Sequence, residues 1–103
     1  MSTPKFMVGQ LVHHCLFDYR GVIYDVDEVF QGSDEWYQQV ARSRPARDRP
    51  WYRVLVHELG HETYVAEGNL ERDDVLEPIK HPWVGQIFAA LKDGYYELSG
   101  DFH

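Results

Sequence analysis

In four short segments of the chain, successive residues belong alternately to two sets that would lie on opposite faces of a strand. This period of two restricts the chain to a sheet-based fold. The segments are residues 6–16, 21–27, 52–56 and 63–66. They are rich in Val, Ile and Tyr, and such segments are typical of half-buried strands. A bend at Gly68-Asn69 predicts a fifth short strand from Leu70.

Turn signals separate these segments, at residues 18–21 and at Leu59-Gly60. Short antiparallel strands joined in this way predict a mostly β fold, a small closed or nearly closed barrel, because closure removes exposed sheet edges. The length of 103 residues fits a single domain spanning residues 1–103.

A first helical signal starts at Ser33, a residue type that caps helix N-termini. Asp34 and Glu35 would lie in the first turn, where negative charge is favourable. Trp36, Tyr37 and Val40 would then share one side of a short helix.

A second helical signal follows His81, which we expect to cap or pack against the helix. Pro82 suits a first helical position, and Trp83, Ile87 and Leu91 recur at intervals of four. This spacing predicts a helix that ends at Gly94, with its apolar stripe in the core. The residues from 98 to 103 are expected to be frayed.

Residues 31–50, which include this first helical signal, combine aromatic residues, two prolines and clustered arginines, which predicts an exposed and mobile loop. Arginine and aromatic side chains are common at binding hot spots. The candidate partner-binding residues are therefore Trp36, Tyr37, Arg42, Arg44, Arg47 and Arg49. The alternative is a solubilising loop whose aromatic residues pack on the barrel.

The formal charge of −7 argues against broad affinity for DNA, which depends on neutralising phosphates, and favours protein partners. A local basic patch at the arginines keeps DNA open as a partner. No apolar run is long enough to span a bilayer, so no membrane contact is expected. Cys15 is the only cysteine and lies in an apolar stretch, which predicts a packed core thiol. The absence of a signal-peptide core and of a disulfide favours the cytoplasm.

The segment His57-Glu58-Leu59-Gly60-His61 matches the zinc-peptidase pattern H-E-x-x-H. That chemistry needs a helix, which places both imidazoles on one face. Strand-like segments flank the motif, so we predict a hairpin turn here and no metal, cofactor or catalytic residue. Adventitious metal binding by His57 and His61 stays open, and a zinc peptidase remains a remote alternative.

Several motifs in order resemble the HspQ family, also called the YccV-like or hemimethylated-DNA-binding domain. They are Val8-Gly9-Gln10, Tyr19-Arg20-Gly21-Val22-Ile23, Asp25-Val26-Asp27, Pro50-Trp51-Tyr52, Tyr64-Val65-Ala66-Glu67 and His81-Pro82. The resemblance covers roughly residues 5–91 and implies an SH3-like β-barrel of about five antiparallel strands, with one or two short flanking helices and no catalytic activity.

Two roles follow from the resemblance. The first is that of a heat-shock protein that modulates protein quality control and ATP-dependent proteolysis through contacts with a protease, an adaptor or a client. The second is binding of hemimethylated DNA. The acidic body favours the first hypothesis and the arginine cluster favours the second. The apolar C-terminal stripe is also compatible with a small homo-oligomer.

Overall fold

The computed structural model describes residues 3–41 and 44–99. Within these residues the chain forms seven strands, two short α-helices and one 3₁₀ helix. In chain order they are β1 (Leu11–His14), β2 (Arg20–Asp27), α1 (Asp34–Val40), β3 (Trp51–Val56), β4 (Glu62–Ala66), the 3₁₀ helix (Glu67–Asn69), β5 (Leu70–Arg72), α2 (Val84–Ile87), β6 (Phe88–Lys92) and β7 (Tyr95–Leu98).

The first five strands form one antiparallel sheet in the order β4-β3-β2-β1-β5. The predicted mostly β class with two short helices is confirmed. The sheet is not closed into a barrel, because in the described part of the chain β4 and β5 are its two edges and no ladder joins them. The 3₁₀ helix turns the chain from one edge to the other instead.

Alternate residues of the strands point to opposite faces of this sheet, and both faces are covered. One cluster contains Val12, Ile23, Tyr52, Val54, Val65 and Leu70. The other contains Leu11, Val22, Leu55, Ile79, Ile87, Phe88 and Tyr96, and it packs the C-terminal elements on the sheet. Burial of both faces explains the unbroken apolar run at residues 54–56.

The long C-terminal helix predicted from the spacing of Trp83, Ile87 and Leu91 is wrong. Only Val84–Ile87 is helical, and β6 and β7 follow as a hairpin. Asp93 and Gly94 have φ values of 53° and 86° between the paired Lys92 and Tyr95, as a two-residue hairpin turn requires. The Asp-Gly pair is therefore a hairpin signal and not a helix stop.

His81 does not cap the short helix α2, whose N-cap is Trp83 without a side-chain cap hydrogen bond, but it packs against Trp83 at the start of this helix, as the prediction allowed. The Nδ1 of His81 accepts a hydrogen bond from the Trp83 amide at 3.0 Å, and its carbonyl oxygen accepts one from the Val84 amide at 3.1 Å. At the far end, the Ser99 amide donates to the Ile87 carbonyl oxygen. Residues 100–103 lie outside the described residues, so the expected frayed C-terminus stays a prediction.

The prediction of a buried Cys15 is wrong, since this residue is exposed. β1 ends at His14, whose side chain takes the buried position, and the chain then turns away from the core. In the described ranges, no helix is long and apolar enough to cross a membrane.

Candidate binding groove

One wall of an open groove is built by α1 and the aromatic residues beneath it. Ser33 caps the helix as predicted, its Oγ accepting a hydrogen bond from the Trp36 amide at 3.1 Å. The rings of Phe30, Trp36, Tyr37, Trp51 and Tyr64 then pack together, with centroid separations between 4.8 Å and 6.4 Å. Trp36 is half-buried on this wall and Val40 is 53% exposed beside it.

The opposite wall is the turn between β1 and β2. The buried His14 accepts hydrogen bonds at Nδ1 from the amides of Leu16 and Phe17, both at 3.1 Å, and its ring stacks on Phe17. The Tyr19 hydroxyl bonds the Thr63 Oγ1 at 2.6 Å and ties the turn to β4. Leu16 and Phe17 are thereby held with 58% and 71% of their surface exposed.

Strand β4 lies between the two walls, and all five of its residues line the groove. The groove has a volume of about 660 Å³, within the range of ligand-binding pockets. Its other lining residues are Leu16, Phe17, Tyr19, Trp36, Val40, Ala41, Pro45, Trp51, Arg53 and Asn69. The site is therefore concave, largely apolar and rich in aromatic side chains.

Tyr64 of β4 makes polar contacts beside the wall that contains α1. Its hydroxyl donates to Asp27 Oδ2 at 2.6 Å and accepts from the Gln31 amide at 3.0 Å. Burial, together with the hydrogen bond to Asp27, raises the pKa of Tyr64 to about 12, so the phenol stays neutral. The guanidinium of Arg53 lies 4.6 Å above the Tyr64 ring, which is a favourable cation–π contact.

The predicted arginines are not gathered in the groove. Arg47 pairs with Asp34 and lies over the rings of Phe30 and Tyr37, so its charge stabilises the fold. The exposed Arg44 donates to Gln38 at 2.7 Å.

Arg49 is exposed and lines a second cleft of about 440 Å³ together with Lys5. Arg42 lies outside the described residues. Arg44, Arg47 and Arg49 are thus all exposed, but Arg47 is held by Asp34 and two rings.

Of the predicted aromatic residues, Trp36 lines the groove, whereas Tyr37 is buried and its hydroxyl donates to the Pro45 carbonyl oxygen at 2.7 Å. The wall formed by Leu16 and Phe17 was missed. The available signal was a pair of consecutive apolar residues directly before the polar turn residue Asp18. A strand with one solvated face alternates apolar and polar residues, so two apolar residues in succession are unexpected there.

The H-E-x-x-H segment forms the predicted hairpin between β3 and β4. The Val56 amide donates to the His61 carbonyl oxygen at 3.0 Å, and His57 Nδ1 accepts from the Lys80 amide at 2.9 Å. Residues 57–61 therefore lack the helical geometry that the zinc-peptidase pattern needs. Among residues 3–41 and 44–99, no group of three or more His, Cys, Asp and Glu side chains is placed to hold a metal ion.

Two adjacent histidines respond to pH in opposite directions. Burial lowers the pKa of His14 from its ordinary value of 6.5, so its contribution to stability decreases as the pH falls below that value. Hydrogen bonding to Asp18, and then to Glu71, raises the pKa of His13 from 6.5. His13 therefore stabilises the fold below pH 6.5, and this contribution disappears as the pH rises through its higher folded pKa.

We accordingly expect the variants His13→Gln and His14→Gln to change the pH dependence of stability with opposite signs. Without His13, the free energy of unfolding should fall more steeply than in the wild type as the pH is lowered through 6.5. Without His14, it should fall less steeply. Urea denaturation at a series of pH values measures both slopes, and identical slopes for the two variants would contradict this assignment.

A comparison with models of protein families shows which family this chain resembles. The model described as hemimethylated DNA-binding protein YccV like matches residues 4–95. The matched region includes both walls of the groove, strand β4, and the cleft beside Lys5 and Arg49.

Proposed function

This chain belongs to the YccV-like family, described as hemimethylated DNA-binding proteins, and we propose that it is a small non-enzymatic binding protein that acts through protein–protein contacts in protein quality control and ATP-dependent proteolysis. The observation that carries this proposal is the apolar, aromatic-lined groove along β4. Its partners are proteases, adaptors or clients of that network.

The composition of the groove supports a protein partner. Aromatic anchors in a concave apolar site are typical of binding hot spots. Leu16, Phe17 and Val40 expose more than half of their surface at its two walls. The net charge of −7 favours protein surfaces over the phosphate backbone of nucleic acids.

We expect the variant Leu16→Ser to lose protein partners, because it removes apolar surface from the groove. Nuclease-treated extracts of heat-stressed cells are passed over immobilised wild type, Leu16→Ser and Leu59→Ser. Leu59 is 64% exposed at the β3–β4 hairpin and does not line the groove, so it is the matched control. The wild type and the control should recover protease, adaptor or client proteins, with at least about tenfold less on Leu16→Ser.

Equal recovery by Leu16→Ser and the wild type would contradict a role of the groove. No recovery of such proteins by the wild type, with unchanged substrate half-lives when the chain is deleted from cells, would contradict the function itself.

The family description and the exposed basic residues favour a second function, binding of hemimethylated DNA. Arg44 and Arg49 are exposed on the segment after α1, and Arg49 shares its cleft with Lys5. These cations are available to phosphates, whereas Arg47 is held by Asp34 and two rings.

For this second function, Arg49→Ala is expected to weaken binding to a hemimethylated duplex and to lower the salt slope by about 1. Arg72→Ala is the control, because it removes the same charge from an exposed position on β5. Fluorescence anisotropy at several salt concentrations measures both quantities. Negligible binding to unmethylated, hemimethylated and fully methylated duplexes at low salt would exclude DNA as a partner.

A further inference from the structure

The outer edge of β4 carries backbone groups that pair with no strand among residues 3–41 and 44–99. The hydrogen bonds at the two ends of the β3–β4 ladder fix which backbone groups face β3. The Val56 amide donates to the His61 carbonyl oxygen, and the Glu67 amide donates to the Pro50 carbonyl oxygen. In an antiparallel ladder the direction of these groups alternates along the strand. With the register Leu55↔Glu62 to Trp51↔Ala66, the amides and carbonyls of Thr63 and Val65 face β3, and those of Glu62, Tyr64 and Ala66 face outward.

The two edges of the sheet differ in how they are protected. Proteins commonly guard an exposed edge with short strands, charges or prolines. β5 follows this rule, since it has three residues, two of them charged, and Asp73 follows. β4 has five residues, carries one charge at its start and contains no proline.

The groove runs along this unprotected edge. Side chains from both faces of β4 line it, with Thr63 and Val65 on one face and Tyr64 and Ala66 on the other. The wall of Leu16 and Phe17 lies beside the first pair through the Tyr19–Thr63 hydrogen bond, and Trp36 lies beside Tyr64. The edge is therefore at the floor between the walls, and five residues of strand are about 17 Å long.

We propose that this groove binds an extended polypeptide segment, which adds to the sheet as a strand against β4. This inference rests on the proposed protein-binding function and names the partner class. Main-chain hydrogen bonds supply affinity in this mode of recognition, and alternate side chains enter the two walls. Because both walls are apolar, the segment has apolar residues at successive positions.

A strand that is apolar on both faces is normally buried inside a folded protein. It becomes accessible when that protein is unfolded, so the partner is a non-native client chain. The net charge of −7 additionally favours lysine or arginine beside the apolar run.

A second copy of this chain is a poorer occupant of the groove. Its own β4 lies at the floor between the same two walls, so its edge is less accessible than that of an extended segment without walls. Two copies also carry a charge of −7 each, which opposes their association. A single extended segment has neither obstacle.

The experiment uses a synthetic peptide of alternating valine and aromatic residues, with lysines at both ends, and the full chain labelled for NMR. On binding, we expect amide hydrogen exchange at Tyr64 and Ala66 to slow by at least about tenfold. The amides of Thr63 and Val65, which already bond to β3, should change little. A peptide N-methylated at every central amide should bind at least about tenfold more weakly.

Val40→Ser and Val75→Ser are the matched protein variants, because each valine is 53% exposed and only Val40 lines the groove. Peptide affinity should fall several-fold in Val40→Ser and stay unchanged in Val75→Ser. Equal affinities of these variants, or no peptide binding by the wild type, would overturn the inference.

Two further outcomes would overturn strand addition and leave the proposed function standing. One is peptide binding that depends on Val40 without slower exchange at Tyr64 and Ala66, which would indicate docking of side chains alone. The other is protection of these amides without peptide, together with dimers in sedimentation, which would make a second copy the occupant. The pull-down with Leu16→Ser tests the proposed function independently.

Discussion

The variant Trp51→Ala is expected to lower the free energy of unfolding by about 3–5 kcal/mol, which is a large part of the stability of a small domain. Trp51 is 1% exposed and its ring packs on four other aromatic rings. Its Nε1 also donates to the Ala46 carbonyl oxygen at 3.0 Å. Urea denaturation followed by far-UV circular dichroism measures the loss.

Trp83→Ala is the matched control, because it removes the same side chain from a position that is 39% exposed. Trp83 contacts Tyr24 edge to face at 6.0 Å, and we expect a loss of about 1 kcal/mol from this surface site. Similar losses in the two variants would show that the aromatic cluster under α1 does not anchor the groove wall to the sheet.

Gly9→Ala is expected to destabilise the fold by about 2–5 kcal/mol, from backbone strain and overpacking together. Gly9 has a φ of 93°, a backbone conformation that residues with a Cβ rarely adopt. A Cβ at this position would also collide with the Tyr96 carbonyl oxygen. The tight approach is required because the Gly9 amide bonds to Ile23 and its carbonyl oxygen accepts from the Tyr96 amide, both at 2.7 Å.

Gly85→Ala makes the same chemical change in α2, where a new Cβ would meet open space. Alanine should stabilise that short helix by up to about 1 kcal/mol, because glycine has a low helix propensity. Thermal and urea denaturation of both variants compare the two sites. Equal effects would contradict the role of Gly9 in joining the C-terminal hairpin to the main sheet.

The candidate site was only partly predictable. The cap at Ser33 and the helix with Trp36 follow from local rules, and both are present. The turn that carries Leu16 and Phe17 could not be assigned to a wall, because its position depends on His14 and on Tyr19 bonding across to Thr63. Contacts between residues that are 44 positions apart have no local signature.

Local patterns determined the strand segments of the main sheet, the first helix and the turn at the H-E-x-x-H motif, because backbone propensity and the period of two act over a few residues. Tertiary structure decided the rest. The segment with Trp83, Ile87 and Leu91 forms a short helix and a hairpin, because β6 pairs with β7 and Phe88 is buried in the core. Tertiary structure also left the β4 edge open between two apolar walls, because which strand lies at an edge is a property of the whole sheet.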